Sequence, residues 1–340
     1  MGIGKQKGAL ARAMRLIEAL QQTAFQRRRR IPRKAFIANY KRNYSHERGF
    51  CSVSMKLLIT GASGLLGNAL LREASRREVP AIAAYNRNTV QGGIQMNITK
   101  FDQVKAAVSR VAPDFVIHAA AFTDVDACEI EPQSAWDVNA LGTKHVTDAC
   151  KEYGAKVVYI STDYVFDGES GPYSEGDSTH PINVYGESKL AGERFVMSDP
   201  DNAVARVCVL YGPDKFNFVT WVINALRTNT PINVVSDQFN TPTYVGSCAR
   251  ALLRLCELDL NGVYHISGRE QISRYAFARK IADVFELNEK LINAATTDTL
   301  KQRARRPMNS SLNVAKAERA LGMRLANVRE GLTLLRDEWQ

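Results

Sequence analysis

No apolar run in this 340-residue chain reaches the ~18 residues that a helix needs to cross a bilayer, which excludes a membrane-spanning helix. The six cysteines, at 51, 128, 150, 208, 248 and 256, have neither C-x-x-C spacing nor local histidine partners. That scatter argues against a zinc site, or any other metal site, and against a secreted disulfide framework, so a reducing, cytoplasmic setting is expected. Solenoid repeats and low-complexity linkers are missing as well, which leaves an ordinary globular body of 45% hydrophobic and 24% charged residues.

Acidic residues are scarce in one place only. Residues 1–54 carry 13 Lys and Arg against Glu18 and Glu47, whereas the rest of the chain holds 32 basic and 33 acidic residues. The net charge of +10 therefore belongs to the extension, and the body is balanced. Three readings of the extension stay open. It is a disordered tail or a start placed too early, since "MKLLIT" at Met55 begins flush with the first strand; an arginine-rich transit peptide for organelle import, to which an amphipathic helix at 10–21 would contribute; or a nucleic-acid-binding arm, the least favoured.

From Met55 short apolar runs ("KLLIT", "AIAAY", "FVIHAA", "KVVYI") alternate with helical segments, one beginning near Gly64, one at 101–111 and one at 132–153. Continuous apolar strands separated by helices imply an α/β, doubly wound parallel sheet covered on both faces. Beyond about 210 the rhythm loosens, so residues 55–210 read as a dinucleotide-binding Rossmann domain and 211–340 as mainly a smaller α/β substrate lobe. Gly61, Gly64 and Gly67 in "LLITGASGLLG" fall between the first strand and the first helix, where a tight turn, close approach of a pyrophosphate and close helix packing are required. After the second strand no acid is available to grip a ribose 2′-hydroxyl, while Arg87 is placed to accept a 2′-phosphate. NADPH is therefore expected over NADH.

"NVYGESKLAGE" sets Tyr185 and Lys189 four residues apart, on one face of a helix. A nearby ammonium is expected to lower the tyrosine pKa and fit Tyr185 for proton transfer at a carbinol oxygen. "STDYVFDG" ends a strand with Ser161, Thr162 and Asp163, at the sheet edge where ligands bind in such folds. His118, inside an apolar strand, reads as a packed, hydrogen-bonded core residue.

With these motifs together the chain resembles an extended short-chain dehydrogenase/reductase (extended SDR), and within that superfamily the dTDP-4-dehydrorhamnose reductase family. "GASGLLG", "HAAAFTDVDACE", "NALGTKHV", "STDYVFDG", "PINVYGESKLAGE", "SDQFNTPTY" and "RPMNSSL" carry the likeness from 57 to about 312. The resemblance implies that Thr162 bonds the substrate oxygen, Tyr185 donates the proton and Lys189 holds the nicotinamide ribose. It further implies a cofactor site of Gly61, Ser63, Gly64, Leu65, Leu66, Gly67, Arg87, Asn97, Ile98, Ala119, Ala120 and Ala121, with Tyr185 and Lys189, and a supporting role for Asn139. Thr123, Asn217, Gln238 and Arg306 are the expected contacts to a nucleotide sugar, Arg306 to its diphosphate.

Relatives that eliminate water carry an acid two positions after the threonine; here that position is Tyr164, so direct reduction of a keto group is expected, most simply dTDP-4-dehydrorhamnose to dTDP-L-rhamnose. The family's usual tryptophan after the catalytic helix is replaced by Val209, which implies an altered substrate pocket. The likeness shades into the regulatory β-subunit of methionine adenosyltransferase, an NADP-binding partner protein, and into other sugar-nucleotide epimerases and reductases, which are the alternatives. A homodimer is compatible with the family.

Overall fold

The computed structural model describes residues 55–339; the basic extension and the helix expected at 10–21 lie outside them. In chain order the strands are β1 (Leu57–Thr60), β2 (Ala81–Tyr85), β3 (Ile94–Gln95), β4 (Phe115–His118), β5 (Lys156–Thr162), β6 (Ala203–Val207), β7 (Leu210–Tyr211), β8 (Ile232–Val235), β9 (Phe239–Asn240), β10 (Thr243–Tyr244), β11 (Gly262–His265), β12 (Ile272–Ser273) and β13 (Ile292–Ala295). The helices are α1 (Leu65–Arg76), α2 (Phe101–Val111), α3 (Val125–Ile130), α4 (Pro132–Ala135), α5 (Thr143–Tyr153), α6 (Val184–Val196), α7 (Phe218–Arg227), α8 (Val245–Glu257), α9 (Arg274–Val284), α10 (Thr297–Leu300), α11 (Ala315–Leu321) and α12 (Val328–Glu338).

Seven strands form one parallel sheet in the order β11-β6-β5-β4-β1-β2-β3. Successive residues of a strand point to opposite faces, and both faces are covered. Leu57 and Ile59 join a core with α1 and α8, while Leu58 joins a second core with α2 and α5. All four β1 residues are buried, which is why the run is apolar without alternation. Each fully buried Leu or Ile contributes about 1.5–3 kcal/mol. The strand order reverses direction at β1, which has β2 on one side and β4 on the other, and this opens a crevice at the carboxyl ends of the strands.

From the second half of the chain β11 returns to pair with β6, and α8 packs on α1. A change in sequence rhythm marks where the chain leaves the sheet and gives no sign that it comes back. The single helix expected at 132–153 is broken by a π-helical stretch, Trp136–Gly142, between α4 and α5. That widened turn carries Asn139, whose side chain donates to Phe122 O (3.0 Å) and Ser188 Oγ (3.0 Å) and accepts from Phe122 N (2.8 Å). Widened turns of this kind concentrate near functional sites.

Helix α6 is fixed to the sheet by a buried ion pair. Arg206 on β6 donates through Nε (2.9 Å) and Nη2 (2.8 Å) to the two carboxylate oxygens of Glu193 on α6, and both side chains are 6% exposed. Removing one partner leaves a buried charge without its counterion. Arg206→Met is expected to destabilise the protein by about 3–5 kcal/mol, read by urea unfolding, and Glu193→Gln added to it is expected to recover part of the loss. An equal or larger loss in the double variant would show that the pair is not the source.

Candidate active site

The crevice forms a cleft of about 710 Å³. Its walls come from strand ends that neighbour one another in the sheet: Arg87 after β2, the glycine turn after β1, Ala119, Ala120, Ala121 and Thr123 after β4, and Thr162 at the end of β5. From β2 to β5 is three strand spacings of about 4.8 Å, or about 14 Å. Ser63, Leu65, Leu66, Asn97 and Ile98 line the same cleft.

The glycine turn fits a dinucleotide on its own geometry. Gly61 has φ +65°, and a Cβ there would stand 2.7 Å from Ala120 N. A Cβ on Gly67 would stand 2.3 Å from Gly61 O, so turn and helix meet at backbone contact. Gly64 caps α1 without a side chain, and no acid lies in the first turn. The helix therefore offers unpaired N–H groups and the positive end of its dipole to a phosphate. Arg87 faces the cleft with Asn86 and Asn88, and no carboxylate from its loop lines the cleft, which suits a 2′-phosphate.

Tyr185 and Lys189 on α6 face this cleft, with Thr162 across from them. Asn183 caps the helix, accepting from Gly186 N (2.8 Å), and Glu129 accepts from Val184 N (2.9 Å). Gly186 lets the helix approach the turn after β5: a Cβ there would stand 2.2 Å from Tyr164 O. Lys189 is 2% exposed; its Nζ donates to Ile160 O (2.6 Å) and lies 4.1 Å from the centre of the Tyr159 ring. Burial brings its pKa down to about 7, with Glu193 opposing the shift.

Tyr185 differs from expectation. Its pKa is raised, first by burial, with the Asp163 charge adding to the effect and the hydrogen bond with Thr162 opposing it. The cost of taking a phenolate out of water is the largest of these effects. Tyr185 is therefore a neutral phenol across the physiological range, suited to giving a proton.

Thr162 Oγ1 accepts from Tyr164 N (3.1 Å) and donates to Asp163 (3.1 Å). Asp163 also accepts from Ser310 Oγ (2.5 Å) and from the Cys208 thiol (3.1 Å), which ties the "RPMNSSL" segment to the end of β5. Burial raises the Asp163 pKa, and these donors and the Arg274 charge lower it. His118 is fully buried between Thr60 Oγ1 (2.7 Å) and Thr143 Oγ1 (3.1 Å); burial first and then Lys189 lower its pKa to about 3, and it serves the core as expected.

The expected substrate contacts divide. Thr123 and Asn217 line the cleft, but Asn217 is the N-cap of α7: its oxygen accepts from Val219 N and Thr220 N, and its amide donates to Gly212 O and Lys215 O. Gln238 is 3% exposed, outside the cleft lining, and braces the lobe by donating to Thr297 Oγ1 (3.0 Å) and Gln302 Oε1 (3.2 Å). Arg306 is also outside the lining, paired to Asp126 (2.9 Å) and bonded to Ala304 O (3.0 Å). Sequence reasoning missed Arg274, Lys215 and Phe216, which do line the cleft. Val209, the position of the absent tryptophan, is in the wall at φ +41°, a conformation a β-branched residue keeps only under constraint from its surroundings.

A doubly wound sheet whose glycine turn and tyrosine-lysine helix share one cleft defines an extended short-chain dehydrogenase/reductase. The chain belongs to the dTDP-4-dehydrorhamnose reductase family: the family model described as the RmlD substrate binding domain matches residues 55–340. It is 35% identical over 298 residues to dTDP-4-dehydrorhamnose reductase of Aggregatibacter actinomycetemcomitans, covering 83% of this chain and 98% of that one. It is 34% identical over 277 residues to methionine adenosyltransferase 2 subunit beta of Xenopus laevis, covering 78% and 82%. Among solved structures it resembles dTDP-4-dehydrorhamnose reductase of Bacillus anthracis in complex with NADP, with a TM-score of 0.79, 34% identity and coverage of 84% and 99%.

The Lys189 shift has a measurable consequence. A folded-state pKa of about 7 against 10.5 for a free lysine means that the folded protein binds fewer protons between those values, so this group makes stability rise with pH across that window. Lys189→Met removes the effect. The stability of the variant relative to the parent is expected to fall as pH rises from 7 to 10, read by denaturant unfolding at each pH; a constant difference would contradict a depressed lysine.

Proposed function

We propose that the protein is an NADPH-dependent reductase of a nucleotide-activated 4-keto sugar, dTDP-4-dehydrorhamnose, yielding dTDP-L-rhamnose. The observation that carries the reading is the convergence of Thr162, Tyr185 and Lys189 at one cleft with the glycine turn and Arg87. NADPH, when bound, supplies the hydride. The amino end of α1 would hold its phosphates and Arg87 its 2′-phosphate. Tyr185, held neutral by burial, gives its proton to the oxygen of the carbonyl being reduced. Thr162, which is hydrogen-bonded with Tyr185 and lines the same cleft, bonds the substrate oxygen. Lys189, on the same face of α6 as Tyr185, would hold the nicotinamide ribose.

Tyr164, where dehydrating relatives have an acid, packs edge-on to Tyr185 with ring centres 6.0 Å apart. A phenol there is no base for elimination, which favours simple reduction. Likeness to the adenosyltransferase subunit is nearly as high as to the reductase, so identity does not choose between them. The complete triad favours the enzyme. The described cysteines are buried free thiols, which suits the cytoplasm.

With dTDP-4-dehydrorhamnose and NADPH, Tyr185→Phe is expected to lower kcat at least about 100-fold while leaving NADPH affinity within a few-fold. NADPH bound tightly but never oxidised by the parent protein would move the assignment to a regulatory subunit. Arg87→Ala is expected to weaken NADPH binding about 10- to 100-fold and leave NADH binding unchanged, by fluorescence titration. Equal losses for both cofactors would remove Arg87 from the 2′-phosphate.

A further inference from the structure

We infer that Arg274 is the residue that grips the substrate's diphosphate, the role that sequence reasoning gave to Arg306. This rests on the nucleotide-sugar reading above and adds to it the anion-binding residue of the substrate half of the cleft.

The Arg306 guanidinium is bonded to Asp126 and to Ala304 O, its side chain is 10% exposed, and it does not line the cleft. A guanidinium already neutralised by a carboxylate has little left for a phosphate. Arg274 is the reverse case. It is partly exposed in the cleft wall, with Asp163, Tyr164 and Val209 also in the lining, and its side chain makes no ion pair or hydrogen bond with any described residue. Only its backbone N–H is used, donating to Gln238 O (3.0 Å). Its charge acts on Asp163, whose oxygens are taken by Ser310, Cys208 and Thr162.

Packing accounts for part of the arginine. Its guanidinium carbon lies 5.3 Å from the centre of the Phe218 ring. Stacking fixes the plane of a guanidinium and leaves its edge N–H groups available, the arrangement that binds phosphate through two parallel bonds. Stability does not account for the charge, because a cation at the first residue of α9 stands against the helix dipole. Arg274 acts on Asp163 and Tyr164, which follow β5, two strands along the sheet from the glycine turn after β1, so the dinucleotide's own phosphates on that turn are not its ligand. A second phosphorylated ligand is.

The test uses dTDP and thymidine as probes of the full-length protein saturated with NADPH, by calorimetry, with Arg274→Met to keep the stacking stem and Arg274→Lys to keep the charge. Arg274→Met is expected to weaken dTDP binding about 10- to 100-fold, Arg274→Lys to lose less, and thymidine binding and NADPH affinity to stay as in the parent. With the keto-sugar nucleotide, KM is expected to rise by the same factor and kcat to change by no more than a few-fold. Unchanged dTDP binding in Arg274→Met, or no dTDP binding by the parent, overturns the assignment. Equal losses in both variants accompanied by weaker NADPH binding also overturn it, since that pattern is a packing role. A parent that binds dTDP through Arg274 but reduces no dTDP-4-dehydrorhamnose upholds the anion site and rejects the substrate, so the two failures are distinct.

Discussion

The site depends on a carboxylate and a guanidinium that face each other inside the protein. Glu193 and Arg206 are joined by two hydrogen bonds with almost no exposure to water, and they connect the helix of Tyr185 and Lys189 to β6. Burying both charges costs several kcal/mol per ion, so the pair is a poor way to gain stability and a good way to fix geometry. Arg206 also lies over Phe166 (5.1 Å), which stacks on Tyr173 (4.1 Å), so the helix, the sheet and the segment after β5 share one anchor. Glu193 further acts on the chemistry, because its charge opposes the burial that draws Lys189 toward the neutral form.

A second set of bonds joins distant parts of the chain at Asp163. Ser310 reaches it across 147 residues and Cys208 across 45, and its other oxygen takes the Thr162 proton. The Asp163 charge also helps keep Tyr185 protonated. The acid in "STDYVFDG" is more than a turn former, although its neighbours in sequence do not show this.

The features legible in the sequence are those set by local spacing. The glycine turn needs three glycines within seven residues, and Tyr185 and Lys189 need one helical turn. His118 needed only its apolar strand to be read as core. The features that were not legible depend on partners far away in the chain. Arg306 and Arg274 are both arginines in lobe segments; the difference between them is Asp126, 180 residues from Arg306, which occupies one and leaves the other open. Gln238 looked like a ligand contact because its bonds to Thr297 and Gln302 form only when the lobe folds. The Tyr185 shift went the other way from expectation because burial is a property of the assembled cleft and has no signature in a four-residue spacing.

Charge is distributed in the same long-range manner. Outside the extension the chain is balanced, with 32 basic and 33 acidic residues, yet the cleft is not. Arg87, Lys189, Lys215 and Arg274 line it against a single acid, Asp163, which is occupied by three donors. The excess sits in a recess with low-dielectric walls, where field lines concentrate and anions are drawn in. Two parts of it match two anionic ligands: the glycine turn with Arg87, after β1 and β2, and Arg274, beside Asp163 and Tyr164 after β5. Tyr185 and Lys189 lie between them, where a nicotinamide and a sugar carbonyl have to meet.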